Sequence, residues 1–155
     1  MRRAKPERHI VPPDLRYKSI HLQTLIQHIM SRGKRSLASR LMYDTMDLIK
    51  ARTEKDPLEV FDVALKNVVP LMEVRPRRVG GATYQVPMEV PANRRVTLAI
   101  RWILTAAHER AGKSFTDKLA AELIDASNET GAAIRKRDET HKMAEANRAF
   151  SHYRI

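Results

Sequence analysis

Arginine is concentrated in a short stretch that also carries strand-forming residues and two adjacent glycines. Arg75, Arg77 and Arg78 precede the Gly-Gly pair at positions 80 and 81, and Tyr84 follows it. Guanidinium groups form charge-assisted hydrogen bonds with phosphates, and an aromatic ring offers a surface on which a nucleobase can stack. These residue types therefore predict recognition of an anionic partner that contains rings, rather than the making or breaking of bonds.

Patterns that would indicate an enzyme are weak throughout the chain. The sequence Gly112-Lys113-Ser114 resembles the end of a phosphate-binding loop, but Ala107 occupies the position of the required glycine. The six histidines lack metal-ligand spacing, and the absence of cysteine excludes thiolate sites. We therefore expect no catalytic residue, no metal site and no cofactor.

The arginine-rich stretch is predicted to form a β-hairpin over residues 72–90, with a two-residue turn at the Gly-Gly pair. Proline has no backbone N–H, so it is tolerated only where its nitrogen points away from the hydrogen bonds that join the two strands. Pro76 and Pro87 both satisfy this condition if Val79 pairs with Ala82. An isolated ribbon is marginal in water, so we expect it to project from a helical body and to be completed by a partner. A solvated hairpin whose charges add solubility is the alternative.

The elements that position this hairpin are predicted to be helices, because apolar residues recur at helical spacing along most of the chain. Six helices are expected: from Ser19 to Gly33, over about residues 36–53, from Asp56 to Pro70, from Pro91 to about Ala111, from Ser114, and after Gly131. The predicted fold is mainly α, a six-helix body with one protruding two-stranded β-hairpin. Residues 1–155 are expected to be a single domain, with a C-terminal helix and tail at 132–155.

Two helical features leave choices open. The sixth helix is polar nearly all round, with only Met143 and small alanines as a seam, so we expect it to stand partly off the core. Trp102 falls near the apolar stripe of the fourth helix, where a core anchor is favoured over a base-stacking platform.

The net charge of +11 and the isoelectric point near 10.3 predict a nucleic acid or an anionic membrane surface as partner. No apolar run approaches the roughly 18 residues of a membrane span, and the N-terminus lacks the apolar core of a signal peptide. An intracellular protein with no membrane partner is therefore expected.

Residues 1–18 carry six Lys or Arg against two acids, with Pro6, Pro12 and Pro13 opposing a helix. They are predicted to be an extended basic arm, the alternative being a disordered solubilising tail.

Basic residues in several predicted segments are candidates for phosphate neutralisation. Arg94 and Arg95 fall in the first turn of a helix, where the dipole disfavours cations, so an external anion would explain their placement. The complete set of residues predicted to bind phosphates is Arg2, Arg3, Lys5, Arg8, Arg32, Lys34, Arg35, Arg75, Arg77, Arg78, Arg94, Arg95 and Lys113.

Two binding functions fit these features. One is a binder of structured RNA, in which a helical body presents several basic projections. The other is an architectural DNA-binding protein that uses a β-arm to wedge into the minor groove. Such arms usually belong to short dimeric chains, whereas about five amphipathic helices here leave no obvious apolar face for dimerisation. Tyr84, the aromatic rings of the tail and several separate basic patches suit the folded, partly unstacked surface of RNA better than a uniform duplex.

Long motifs resemble one family, the bacterial-type small-subunit ribosomal protein seven. They are MEVR at 72–75, RRVGGATYQVPMEV at 77–90, LAIRW at 98–102 and MAEANRAFSHYR at 143–154. The resemblance implies a six-helix fold with one hairpin that binds the 3′ major domain of small-subunit ribosomal RNA and nucleates assembly of the subunit head. It implies a location on the ribosome, in the bacterial cytoplasm or an organelle, as a monomer.

The same resemblance places the hairpin tip and the last helix near exit-site tRNA and mRNA. The residues implied in this role are Gly80, Gly81, Ala82, Thr83, Tyr84, Lys136, Lys142, Arg148, Tyr153 and Arg154. The implied protein neighbours are ribosomal proteins nine, eleven, thirteen and nineteen.

Overall fold

The computed structural model describes residues 11–153, and it confirms the predicted fold class of six α-helices with one antiparallel β-hairpin. The N-terminal part of the predicted arm, residues 1–10, lies outside the described residues. The elements are α1 (Ile20–Ile29), α2 (Arg35–Thr53), α3 (Pro57–Val68), β1 (Met72–Val79), β2 (Ala82–Glu89), α4 (Ala92–Glu109), α5 (Phe115–Ser127), α6 (Ala132–Ala146) and a 3₁₀ helix at Arg148–Tyr153.

Three helices begin at the predicted residues, and each start is capped by a side chain. The side chains of Ser19, Asp56 and Ser114 each accept a hydrogen bond from a backbone N–H in the following turn. The Ser114 hydroxyl also donates to the Asp117 carboxylate at 2.6 Å. This bond is the main reason that the pKa of Asp117 is lowered, and the nearby charge of Arg52 adds to the effect.

Helix α1 is shorter than predicted. It ends at Ile29, because the backbone of Met30 leaves the helical region and Arg32 then adopts a positive φ of 52°. The extra residues up to Gly33 form an exposed loop before α2. The sequence pattern did not reveal this early end because Met30 fits the apolar spacing.

All six helices contribute to one apolar core. Phe61, Leu22, Met42, Ile100 and Leu119 are among its fully buried side chains. Helix α5 packs against α2, α3 and α4, and thus connects the helices of the body.

The hairpin register is as predicted. Val79 faces Ala82 across a two-residue turn, Pro76 faces Gln85, and Val74 faces Pro87. Both turn glycines have positive φ, 58° and 86°, as a primed turn requires. The base of the hairpin is buried through Glu73, Val86, Pro87 and Val90, whereas the tip is exposed.

Helix α6 does not stand off the core, so that prediction is wrong. It packs against β1 and against α3, α4 and α5, with Ala133, Ile134 and Ala144 buried. Met143, the expected seam, is 49% exposed. The polar residues anchor the helix instead: an Arg137 guanidinium N–H donates to the Asn67 carbonyl, and the Leu71 N–H donates to His141 Nε2 at 3.1 Å.

A buried carboxylate on α5 accepts a hydrogen bond from the first turn of α6. Glu122 on α5 is almost fully buried; its Oε1 accepts from the Ala133 N–H at 2.9 Å and its Oε2 accepts from Arg110 Nη1 at 2.8 Å. Arg110 also pairs with Asp125, and this contact is the main cause of the raised pKa of Arg110. Glu122 thus satisfies a helix N–H that would otherwise be buried without a partner.

Candidate nucleic-acid interface

A cluster of positive charge lies in the loop between α1 and α2 and at the first residue of α2. Arg32, Lys34 and Arg35 are all exposed, and no carboxylate within residues 11–153 pairs with their side chains. We call these three residues the loop cations. Helix α2 begins beside them without a side-chain cap and without an acidic residue in its first turn. Its partial positive charge therefore adds to that of the loop cations.

The arginines at the hairpin base are held by carboxylates of the same chain. Glu73, which is 9% exposed, accepts from Arg75 at 2.6 Å and from Arg94 at 3.4 Å. Arg95 donates to Glu89 at 2.6 Å and to the Val90 carbonyl at 2.8 Å. These contacts already compensate the cations in the first turn of α4, so their placement does not by itself require an external anion.

These ion pairs leave part of the charge available. Three arginines share two glutamates, and the Arg75 and Arg94 side chains remain 43% and 49% exposed. A guanidinium has five N–H donors, so one that binds a carboxylate can still donate to a phosphate. Glu73 therefore orients these side chains as well as neutralising them in part.

The outer part of the hairpin, which includes Arg77 and Arg78, extends this basic surface. Arg77 and Arg78 are exposed beyond the buried base, on opposite faces of the ribbon. Arg77 lies opposite Tyr84, which is only partly exposed.

Tyr84 contacts the chain's own C-terminal segment. Its ring stacks on Tyr153 at a centroid distance of 5.0 Å and lies 5.4 Å from Phe150. The 3₁₀ helix is thereby fixed against β2. We expected the Tyr84 ring to be available to a partner, but it instead joins two segments that are far apart in sequence. The sequence alone contains no signal that Tyr84 contacts Tyr153 or Phe150.

The other predicted basic residues are dispersed. Lys113 is exposed in the loop before α5, and Lys142 and Arg148 are exposed near the C-terminal end. Lys136 lies 3.6 Å from Glu139, an exposed pair worth little energy. Arg2, Arg3, Lys5, Arg8 and Arg154 lie outside the described residues.

The sequence analysis missed Asp14, whose side chain fixes the segment before α1 to the body. Asp14 is 3% exposed; it accepts from the N–H groups of Arg16 and Tyr17, and from the Tyr43 hydroxyl at 2.7 Å. Burial, followed by the bond to Asp14, raises the pKa of Tyr43. Residues 14–17 are therefore a turn fixed to α2 rather than part of an extended arm. Pro13-Asp14 is a turn signal that could have indicated this.

No group of three or more His, Cys, Asp or Glu within residues 11–153 could hold a metal ion. In the same part of the chain no helix is long and apolar enough to cross a membrane.

Comparison with known proteins identifies one family. Residues 1–148 match the family model described as ribosomal protein S7p/S5e. The chain is 59% identical over 153 residues to the small ribosomal subunit protein uS7 of Thermomicrobium roseum, covering 99% of this chain and 98% of that protein. The proteins of the same name from Acaryochloris marina and a Thermoanaerobacter species are 58% and 56% identical over the same shares. All three relatives are ribosomal, which favours RNA over the DNA alternative.

Proposed function

Because the chain belongs to the ribosomal protein S7p/S5e family of the small subunit, we propose that it binds the 3′ major domain of small-subunit ribosomal RNA directly and nucleates assembly of the subunit head. Its role is structural rather than catalytic. The chain is a ribosomal protein, and therefore part of the ribonucleoprotein that carries out translation.

The observation that carries the proposal is the exposed charge of the loop cations at an uncapped helix end. Phosphates would compensate both the side chains and the helix terminus. The hairpin arginines, Arg94, Arg95, Lys113 and the basic residues of the arm add further phosphate contacts. Affinity then comes mainly from counterion release, and specificity from the shape of a folded RNA junction.

The salt dependence of binding tests this mechanism. If about eight phosphates are engaged, log K against a 3′ major domain transcript falls with log salt at a slope of roughly −6 to −7. Filter binding over a series of potassium chloride concentrations measures the slope. A slope near −2 would contradict the mechanism, since about two contacts would then account for all the electrostatic binding.

We further propose that the hairpin tip and the C-terminal segment face exit-site tRNA and mRNA. The tip is residues 80–84, and the C-terminal residues are Lys136, Lys142, Arg148, Tyr153 and Arg154. The stack between Tyr84 and Tyr153 supports the proposal, because it fixes the 3₁₀ helix against the strand that leaves the tip. The two segments can then act as one surface.

Deleting residues 151–155 is expected to reduce exit-site tRNA retention on reconstituted subunits. The deletion removes the Tyr153 ring that stacks on Tyr84, together with one cation. Affinity for the ribosomal RNA transcript should change by no more than about twofold, because most proposed phosphate contacts remain. Tyr153→Phe keeps the ring and serves as the matched control. Loss of head assembly in the deletion variant would contradict this division of roles.

The proposed setting is the ribosome, where the chain is a monomer in contact with ribosomal proteins nine, eleven, thirteen and nineteen. The proposed compartment is the bacterial cytoplasm, since the three relatives described above are bacterial. An organelle with bacterial-type ribosomes is the alternative.

A further inference from the structure

We propose that a cleft between α4 and α6 binds one unstacked nucleotide of RNA, with its base on Trp102 and its phosphate on Arg135 and Lys136. This inference rests on RNA binding as the proposed function and names a site within it. The ligand chemistry is an unpaired nucleotide whose base carries an amino group. Ribosomal RNA and tRNA could both supply it.

The cleft follows from the spacing of residues on two packed helices. Residues three, four and seven positions apart share a helix face, and Ala106 and Ala132 are small enough to leave open space between the faces. The cleft volume is about 390 Å³. Its polar and aromatic lining is Trp102, Thr105 and Glu109 from α4, and Arg135, Lys136 and Glu139 from α6.

Trp102 provides a ring that is already held in place. It is partly buried and packs against the apolar core, while also lining the cleft. Within residues 11–153 its indole N–H donates to no protein acceptor, and it is open to solvent, because no buried side-chain nitrogen in that part of the chain lacks a hydrogen-bond partner. A fixed ring with a spare donor suits base stacking, which costs little further ordering.

The two cations of the cleft are available to a phosphate. Arg135 is exposed, and its guanidinium pairs with no carboxylate in the described part of the chain. Lys136 has only the 3.6 Å contact with Glu139, three residues along the same helix. Exposed pairs of this kind are readily exchanged for a better partner.

The two carboxylates of the cleft indicate which bases fit. An ionised carboxylate can accept hydrogen bonds but cannot donate them. Glu109 and Glu139 therefore suit the amino groups of cytosine, adenine or guanine. Uracil has no such amino group.

Tryptophan fluorescence tests the proposal, because Trp102 is the only tryptophan in the chain. The full chain is titrated with a 3′ major domain transcript and, separately, with tRNA, while filter retention measures binding. We expect quenching by at least one of the two RNAs. Arg135→Ala with Lys136→Ala should abolish most of the quenching and weaken binding of that RNA about tenfold. Lys55→Ala with Lys66→Ala removes the same charge away from the cleft and should retain the quenching.

The outcomes separate this inference from the proposed function. Retention of ribosomal RNA without a fluorescence change by either RNA would overturn the cleft site and leave the proposed function standing. Failure to retain ribosomal RNA at all would remove the proposed function. Equal quenching by short uridine and cytidine oligonucleotides would overturn the assignment of the carboxylates, and stronger quenching by a glutamate-rich peptide would overturn a nucleotide as occupant.

Discussion

Replacing the loop cations by alanine, as Arg32→Ala, Lys34→Ala and Arg35→Ala together, is expected to weaken binding to the 3′ major domain transcript by about 100-fold or more. Three charge-assisted contacts at about 1 kcal/mol or more each are lost, and each 1.4 kcal/mol is a factor of ten. The stability of the free protein should not fall. These cations lie at the positive end of α2, where the helix dipole opposes them. Filter binding and urea unfolding measure the two effects.

The matched control is Lys50→Ala, Lys55→Ala and Lys66→Ala. All three lysines are exposed, and Lys50 and Lys66 lie in the last turns of α2 and α3, where cations are favourable. The control should therefore lose a few tenths of a kcal/mol of stability and little RNA affinity. An equal loss of affinity in both triple variants would mean that net charge alone drives binding. A large loss of stability in the first would assign the loop cations to the fold.

Gly131→Ala is expected to lower the free energy of unfolding by about 3 kcal/mol or more. Gly131 has φ 98° and ψ 174°, a region that essentially only glycine enters. An added Cβ would lie 2.9 Å from Glu122 Oε1. That oxygen cannot move without breaking its bond to the Ala133 N–H, which would leave buried polar groups unpaired. Urea unfolding followed by circular dichroism measures the loss.

Gly33→Ala measures the cost of a positive φ without a steric contact. Gly33 also has a positive φ, 75°, but an added Cβ there would meet no atom within 4 Å among the described residues. Backbone strain alone should therefore cost about 1 kcal/mol at this position. Similar losses in the two variants would show that the contact with Glu122 contributes nothing. A loss below about 1 kcal/mol at Gly131 would contradict the prediction altogether.

Local features were predictable from sequence because their causes lie within a few residues. The hairpin register follows from Pro76, Pro87 and two glycines, and all four act through their own backbones. The caps Ser19, Asp56 and Ser114 likewise bond to groups two or three residues away. The family resemblance rests on the same kind of information, long motifs read directly from the chain.

The sequence predicted which basic residues belong to the candidate interface, but not which of them pair with carboxylates of the same chain. The sequence identifies Arg75, Arg94 and Arg95 as basic, yet only the fold brings Glu73 and Glu89 to them. It therefore could not distinguish these paired arginines from the loop cations, which pair with no carboxylate in the described part of the chain. That distinction decides which substitutions should affect RNA binding alone.

The sequence by itself determined the helices, the hairpin, the excess of positive charge and the family. Tertiary structure alone decided that Glu122 is buried, that Tyr84 stacks on Tyr153, and that α6 packs against the hairpin and body. The physical reason is that burial and side-chain pairing depend on which segments cross in space. Periodicity along a helix describes only its own faces, whereas a polar residue becomes an anchor when a distant backbone group supplies its hydrogen bond.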